Sequence, residues 1–141
     1  MAPLVSVGHS ERSRVAWVDT DAGGRIHFTA AFRWAEAAET GLMRKLGLLG
    51  RWGSYPRRHV EAEFHKVLVF EDEIETRIRV ERVGRTSITY AWQIAKDGDV
   101  YIEGRHTAVL VDADGRPELL SDEMRAALEG AAVNPSSTSP S

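Results

Sequence analysis

The chain of 141 residues contains no cysteine. That excludes disulfides, cysteine-ligated zinc and a thiolate nucleophile together, and it suits a cytoplasmic location, which is the expectation. No apolar run approaches the roughly 18–20 residues that a membrane-spanning helix needs, so no membrane association is expected. The start, Met1-Ala2-Pro3-Leu4-Val5-Ser6-Val7, lacks a basic segment followed by a long apolar one, and no secretory signal is read there. A basic excess is missing too: 18 Lys and Arg stand against 21 Asp and Glu, interspersed, for a net charge of −3. Nucleic acid is therefore not an expected partner. There is no Gly-x-Ser-x-Gly elbow, no phosphate-binding Gly-x-x-x-x-Gly-Lys loop and no dinucleotide fingerprint. His59, His65 and His106 show no close metal-ligand spacing, so they read as structural and no metal or cofactor is expected.

What is present is enough for one ordinary domain, since 43% of the residues are hydrophobic and 28% charged. The domain is expected over residues 1–133. The small, polar, Pro-interrupted segment 134–141 reads as a disordered tail, unable to offset the entropy of ordering. A first strand is read over about 5–18, ending in Val15-Ala16-Trp17-Val18. From Thr29 to Leu46 the periodicity becomes helical, with Ala31, Trp34, Ala35, Ala38, Leu42 and Leu46 on one stripe and Gly47 placed to stop it. Four strands follow over Val60–Phe70, Glu73–Val83, Thr86–Ala95 and Val100–Val111. Short turns at Val83-Gly84-Arg85 and Lys96-Asp97-Gly98-Asp99 argue for an antiparallel meander. A short closing helix begins near Ser121, a plausible N-cap. The layout is α+β, one long helix across a curved five-stranded antiparallel sheet.

The segment Asp19-Thr20-Asp21-Ala22-Gly23-Gly24 concentrates the chemistry. Two carboxylates sit one residue apart, followed by glycines that permit tight backbone, then a helix start. A helix N-terminus can stabilise an oxyanion, and a carboxylate beside it supplies a nucleophile or general base, as acyl transfer to water requires. Residue types alone equally allow a turn with a capping carboxylate. A calcium loop fails, because its fifth position would be Gly23 and its twelfth Ala30.

The run Val18 to Glu39, VDTDAGGRIHFTAAFRWAEAAE, resembles the opening motif of the 4-hydroxybenzoyl-CoA thioesterase-like hot-dog family. The matching features are Asp19, Asp21, Gly24, the hydrophobic stretch Ile26 to Phe28, and Arg33-Trp34 with Ala37-Ala38. The likeness covers about residues 10–130 and implies the hot-dog fold and acyl-CoA thioesterase activity. It makes Asp21 the catalytic carboxylate and Asp19 a structural one. The Phe28 amide becomes the oxyanion donor, with Thr29 beside it and Gly24 also in the substrate-binding set. His27 stands one position earlier than the histidine of relatives; it is a catalytic candidate or an exposed turn residue. Arg25 departs from the apolar residue usual there.

The resemblance further assigns Trp52 to a pocket-closing loop and Arg85 to the contact with the CoA nucleotide, supplemented by Arg82, Arg57 and Arg58. Glu36 and Glu39 read as solvent-facing or interface carboxylates, with Glu36 a reserve catalytic candidate; Trp34 reads as core. Assembly as a homodimer or a homotetramer is expected, since one helix covers a five-stranded sheet incompletely and Val83, Val109 and Val111 are apolar on the outside. Alternative readings are a thioesterase acting on acyl-carrier protein and a non-catalytic acyl-CoA binder.

Overall fold

The computed structural model describes residues 8–51 and 53–132. Trp52 and the segment 134–141 lie outside the described residues. The elements in chain order are β1 (His9–Arg14), α1 (Thr29–Lys45), β2 (Arg57–Phe64), β3 (Glu73–Val83), β4 (Ser87–Lys96), β5 (Asp99–Val109) and α2 (Asp122–Ala132). The five strands form one antiparallel sheet in the order β1-β3-β4-β5-β2.

Helix α1 forms where the apolar spacing places it and buries Ala30, Ala31, Trp34, Ala35, Ala38, Leu42 and Met43. Its end is a Schellman motif. Gly47 adopts φ +74°, its N–H donates to Arg44 O, and the Leu48 N–H donates back to Met43 O. The alternating residues of β3 and β4, Ile74, Thr76, Ile78 and Val80 with Ile88, Tyr90, Trp92 and Ile94, are buried. The β4–β5 turn carries positive φ at Asp97 and Gly98, which suits the twist of a two-residue hairpin. Ser121 caps α2 through its side-chain oxygen, which accepts from the Met124 N–H at 3.1 Å.

Three expectations need correction. The first strand ends at Arg14, and Trp17–Asp19 is a turn of 3-10 helix. The meander holds only for β3-β4-β5. Strand β2 sits at the far edge beside β5, because residues 65–72 carry the chain across to β3. The apolar run Val67–Phe70 belongs to that crossing rather than to a strand. Only Leu68 in it is buried, and it touches the sequence motif through a bridge between Arg25 and Val69. Glu71, at φ +75°, turns the chain into β3.

The sheet leaves no room at Gly104. It pairs with Trp92 in β4, and a Cβ there would overlap the indole ring and the Glu61 carbonyl. A rigid ring and a backbone atom cannot yield cheaply. Gly104→Ala is expected to cost about 1–3 kcal/mol, the usual range for overpacking. Urea unfolding checks this, and an unchanged midpoint would contradict the packing.

Candidate functional site

The Asp-x-Asp motif folds as a tight hairpin against the start of α1. Thr20 bridges Ile26, the Asp21 N–H donates to Arg25 O at 2.7 Å, and the His27 N–H donates to Asp19 O at 2.7 Å. Gly24 takes φ +84°, a conformation that favours glycine. The two carboxylates part company in this hairpin. Asp19 is 4% exposed, accepts from the Ala16 N–H at 2.8 Å and pairs with Arg33 of α1 at 2.9 Å. It ties the hairpin to the helix. Asp21 is exposed, and among the described residues its Oδ1 accepts only the Gly23 N–H, at 2.7 Å.

The helix start is partly satisfied by His27. Its Nδ1 lies 3.2 Å from the Thr29 amide and 2.7 Å from the Thr29 hydroxyl, while its ring stacks on Phe28 at 4.8 Å. His27 thus takes the place of a capping side chain. The Ala30 amide donates to His27 O and the Ala31 amide to Phe28 O. No acceptor for the Phe28 N–H is found among the described residues. An exposed carboxylate and an unshared helix-start amide are therefore carried by two ends of one short hairpin.

Arg82 and Arg85 lie elsewhere. Strand β1 pairs Arg14 with Glu73, so the motif hangs from the Glu73 end of β3, and Val15 and Ile26 bond to residues 68–72 beside it. The β3–β4 turn with Arg85 is at the opposite end, roughly 33 Å away at about 3.3 Å per residue. Both arginines are exposed, and among the described residues neither is in an ion pair. Within one chain they do not meet Asp21.

Glu39 corrects the sequence reading. It is 1% exposed, not solvent-facing, and it joins His106, which is 3% exposed. His106 Nε2 lies 2.8 Å from Glu39 Oε1; Arg57 approaches Oε1 at 2.8 Å and Oε2 at 3.1 Å, and reaches Glu36 at 3.5 Å. Arg57, an exposed residue, is thus ion-paired with two carboxylates of α1. Burial pushes the Glu39 carboxyl up, but hydrogen bonds from His106 and Arg57 outweigh it and hold the group below its ordinary value. Burial, with the charges of Glu39 and Glu118, pushes the Tyr55 phenol up to about 12.

The signals for this cluster were partly present. Glu39 falls on the Ala35-Ala38-Leu42 stripe at helical spacing, and His106 alternates with Ile102 and Ala108. Arg57 could not be foreseen, because a bulge between Arg57 and His59 sets it opposite Ala108 on the inner face. Beside the cluster lies a cleft of about 300 Å³ lined by Thr29, Phe32, Arg33, Glu36, Arg57, Val60 and His106. Among the described residues no group of three or more histidine or acidic side chains could hold a metal ion, and no helix is long and apolar enough to cross a membrane.

A five-stranded curved antiparallel sheet with α1 packed on it is the hot-dog fold, and solved structures agree. A protein of Bacillus stearothermophilus described as a predicted thioesterase superposes with TM-score 0.80 at 24% identity, covering 90% of this chain and 98% of that one. A protein from Aquifex aeolicus gives 0.78 at 22% identity, with 84% and 98% covered. A gentisyl-coenzyme A thioesterase gives 0.76 at 21% identity, with 84% and 98% covered. At such identities these likenesses show the fold. No curated protein matches the sequence. The family model of the thioesterase-like superfamily matches residues 15–128, and the chain belongs to that superfamily.

Proposed function

We propose that the protein hydrolyses an acyl-CoA thioester to the free acid and CoA, with Asp21 as nucleophile or general base and the Phe28 amide as oxyanion donor. The observation that carries this is the pairing of an exposed Asp21 carboxylate with an unshared Phe28 N–H on one hairpin, in a chain of the thioesterase-like superfamily. As base, Asp21 takes a proton from water while the water oxygen attacks the thioester carbonyl. As nucleophile it attacks that carbon itself, and water later cleaves the anhydride. In both routes the carbonyl oxygen gains charge, the Phe28 N–H meets it, and the sulfur leaves as CoA thiolate. His27 enters by fixing the first turn of α1 through Thr29, and Gly24 by letting the hairpin close. Coenzyme A as carrier is favoured by a structural neighbour named for a CoA thioester. Thiol release from a panel of aromatic and aliphatic acyl-CoAs tests the reading. No turnover of any of them sinks it, and turnover only of acyl-carrier-protein thioesters moves the activity to that carrier.

The working form in this reading is a homodimer, with a homotetramer as two such dimers. Strand β2 is an edge of the sheet, nearly all exposed, with Val60 50% and Phe64 45% accessible. An open edge whose backbone groups have no partner strand, with Val60 and Phe64 exposed on it, invites pairing with another strand. Trp17 and Val18, both 79% exposed beside the motif, supply a second apolar surface. The outer positions Val83, Val109 and Val111 are already half covered within the chain. Antiparallel pairing of two β2 edges reverses the second sheet, so its β3–β4 turn, with Arg82 and Arg85, faces the Asp21 end of the first. Light scattering at micromolar concentration should give a dimer or tetramer mass; a stable monomer would contradict this assembly.

A further inference from the structure

Helix α2 takes no part in the chemistry assigned to Asp21 and Phe28, yet it is fastened to the turn between β3 and β4 that carries Arg85. We propose that Arg125 of α2 is a positioning residue for coenzyme A, fixing the backbone of residues 84–86 so that Arg82 and Arg85 meet the phosphates of the CoA nucleotide. This role rests on the thioesterase reading and adds to it a residue that acts through the turn.

Three successive carbonyls of the turn accept hydrogen bonds from later in the chain. Gly84 O accepts from the Arg125 guanidinium at 2.8 Å. Arg85 O accepts from the Leu120 N–H at 3.0 Å, with Arg125 Nη2 at 3.5 Å from it. Thr86 O accepts from the Leu110 N–H at 2.8 Å. Inside the hairpin the Gly84 N–H donates to Ser87 O at 2.7 Å, and a Cβ at Gly84 would overlap Ser87 Oγ. Arg125 is itself held in place, since Leu120, Met124 and Leu128 around it are buried in the core.

A turn at the end of a sheet ordinarily leaves its outer carbonyls to water and is mobile for that reason. Here the backbone is tied down while the Arg82 and Arg85 side chains are exposed and, among the described residues, in no ion pair. Guanidinium forks on a fixed backbone suit phosphate oxygens, and ordering the turn beforehand removes that cost from binding. Arg125 Nη2 is occupied by the carbonyls and Nη1 lies 3.8 Å from Glu129, so the residue acts on the turn rather than on the ligand. In the β2-paired dimer this turn faces the Asp21 of the other chain, so α2 of one chain serves the site of its partner.

The test uses the full chain, with an acyl-CoA that it turns over and the matching acyl-pantetheine, the same thioester without the nucleotide. The wild-type KM should be about 10-fold or more lower for the CoA thioester, as charge-assisted contacts require. Arg125→Leu should raise that KM about 3- to 10-fold with kcat kept, and leave the KM for acyl-pantetheine where it was. Arg125→Lys, still able to donate to Gly84 O, should recover most of the loss. On top of Arg85→Ala, Arg125→Leu should add less than about 2-fold, because both act through one contact. If Arg125→Leu does not fold, Arg125→Gln takes its place in the same cycle.

Equal wild-type KM values for the two thioesters overturn the proposal whether or not any variant folds. So does Arg85→Ala without effect, a KM rise shared by acyl-pantetheine, or Arg85 and Arg125 effects that simply multiply. If no thioester releases thiol, the thioesterase reading has failed. CoA and pantetheine are then titrated by calorimetry against the same proteins, where a nucleotide-dependent, non-additive loss of affinity supports the role of Arg125 and any other result overturns it.

Discussion

Asp21→Asn should lower kcat/KM for thioester hydrolysis at least ~100-fold, in line with loss of a general base, and leave the fold in place. Asparagine keeps an oxygen at the position of Oδ1, so the hydrogen bond from the Gly23 N–H survives and the hairpin still closes. The buried tie between the hairpin and α1 is made by Asp19 and Arg33 and is untouched. What disappears is the negative charge and the basicity, on a side chain that is exposed and bonded to nothing else among the described residues. The loss should fall on kcat more than on KM, because the carboxylate acts on the reacting carbon and not on the CoA moiety. Thiol release with wild type and variant, beside their melting curves, checks both halves. A variant with full rate would remove Asp21 from the chemistry; a variant that unfolds would mean the turn, not the reaction, needs the charge.

Glu39→Ala should be the costliest single change to stability, about 3–5 kcal/mol, the range for removing one partner of a buried ion pair. The Arg57 side chain is 29% exposed and can turn back toward Glu36, but the His106 side chain is 4% exposed and its Nε2 N–H would be left without an acceptor. The same cluster sets an acid limit. Glu39 is held below its ordinary value of 4.5 in the fold, so near that pH the folded chain binds fewer protons than the unfolded one. Its contribution is complete above about pH 4.5 and is lost as the pH falls through the lower folded value. Urea unfolding between neutral and acid pH should show wild-type stability falling in that window, with a shallower fall in Glu39→Gln. A Glu39→Ala variant within about 0.5 kcal/mol of wild type, the range for ordinary surface changes, would mean the pair is not buried as described.

The legible parts of the fold were those fixed by local rules. The alanine-rich stripe and Gly47 marked α1 to within a residue, since helical periodicity and a glycine stop need no distant partner. The alternation in β3 and β4 and the Asp97-Gly98 turn were equally local. Val67–Phe70 misled because a short apolar run reads as a strand wherever it lies, and its actual use, crossing between distant strands, depends on which strands pair. Glu39 was misassigned although it stood on the apolar stripe, because a carboxylate is normally placed outside unless a partner is known. Its partners come from positions 57 and 106.

By itself the sequence determined the α+β layout, the position of the one long helix, and the Asp- and Gly-rich turn that carries Asp21 ahead of it. Each follows from spacing within a few residues, where backbone geometry and burial act directly. Only the tertiary structure decided the rest. It separated a buried Asp19 from an exposed Asp21, placed Arg85 at the opposite end of the sheet, and used a one-residue bulge to turn Arg57 toward Glu39, which His106 also meets. The physical reason is that a side chain's charge, exposure and hydrogen-bond role depend on groups far away in the chain, and these meet only when the strands have found their register.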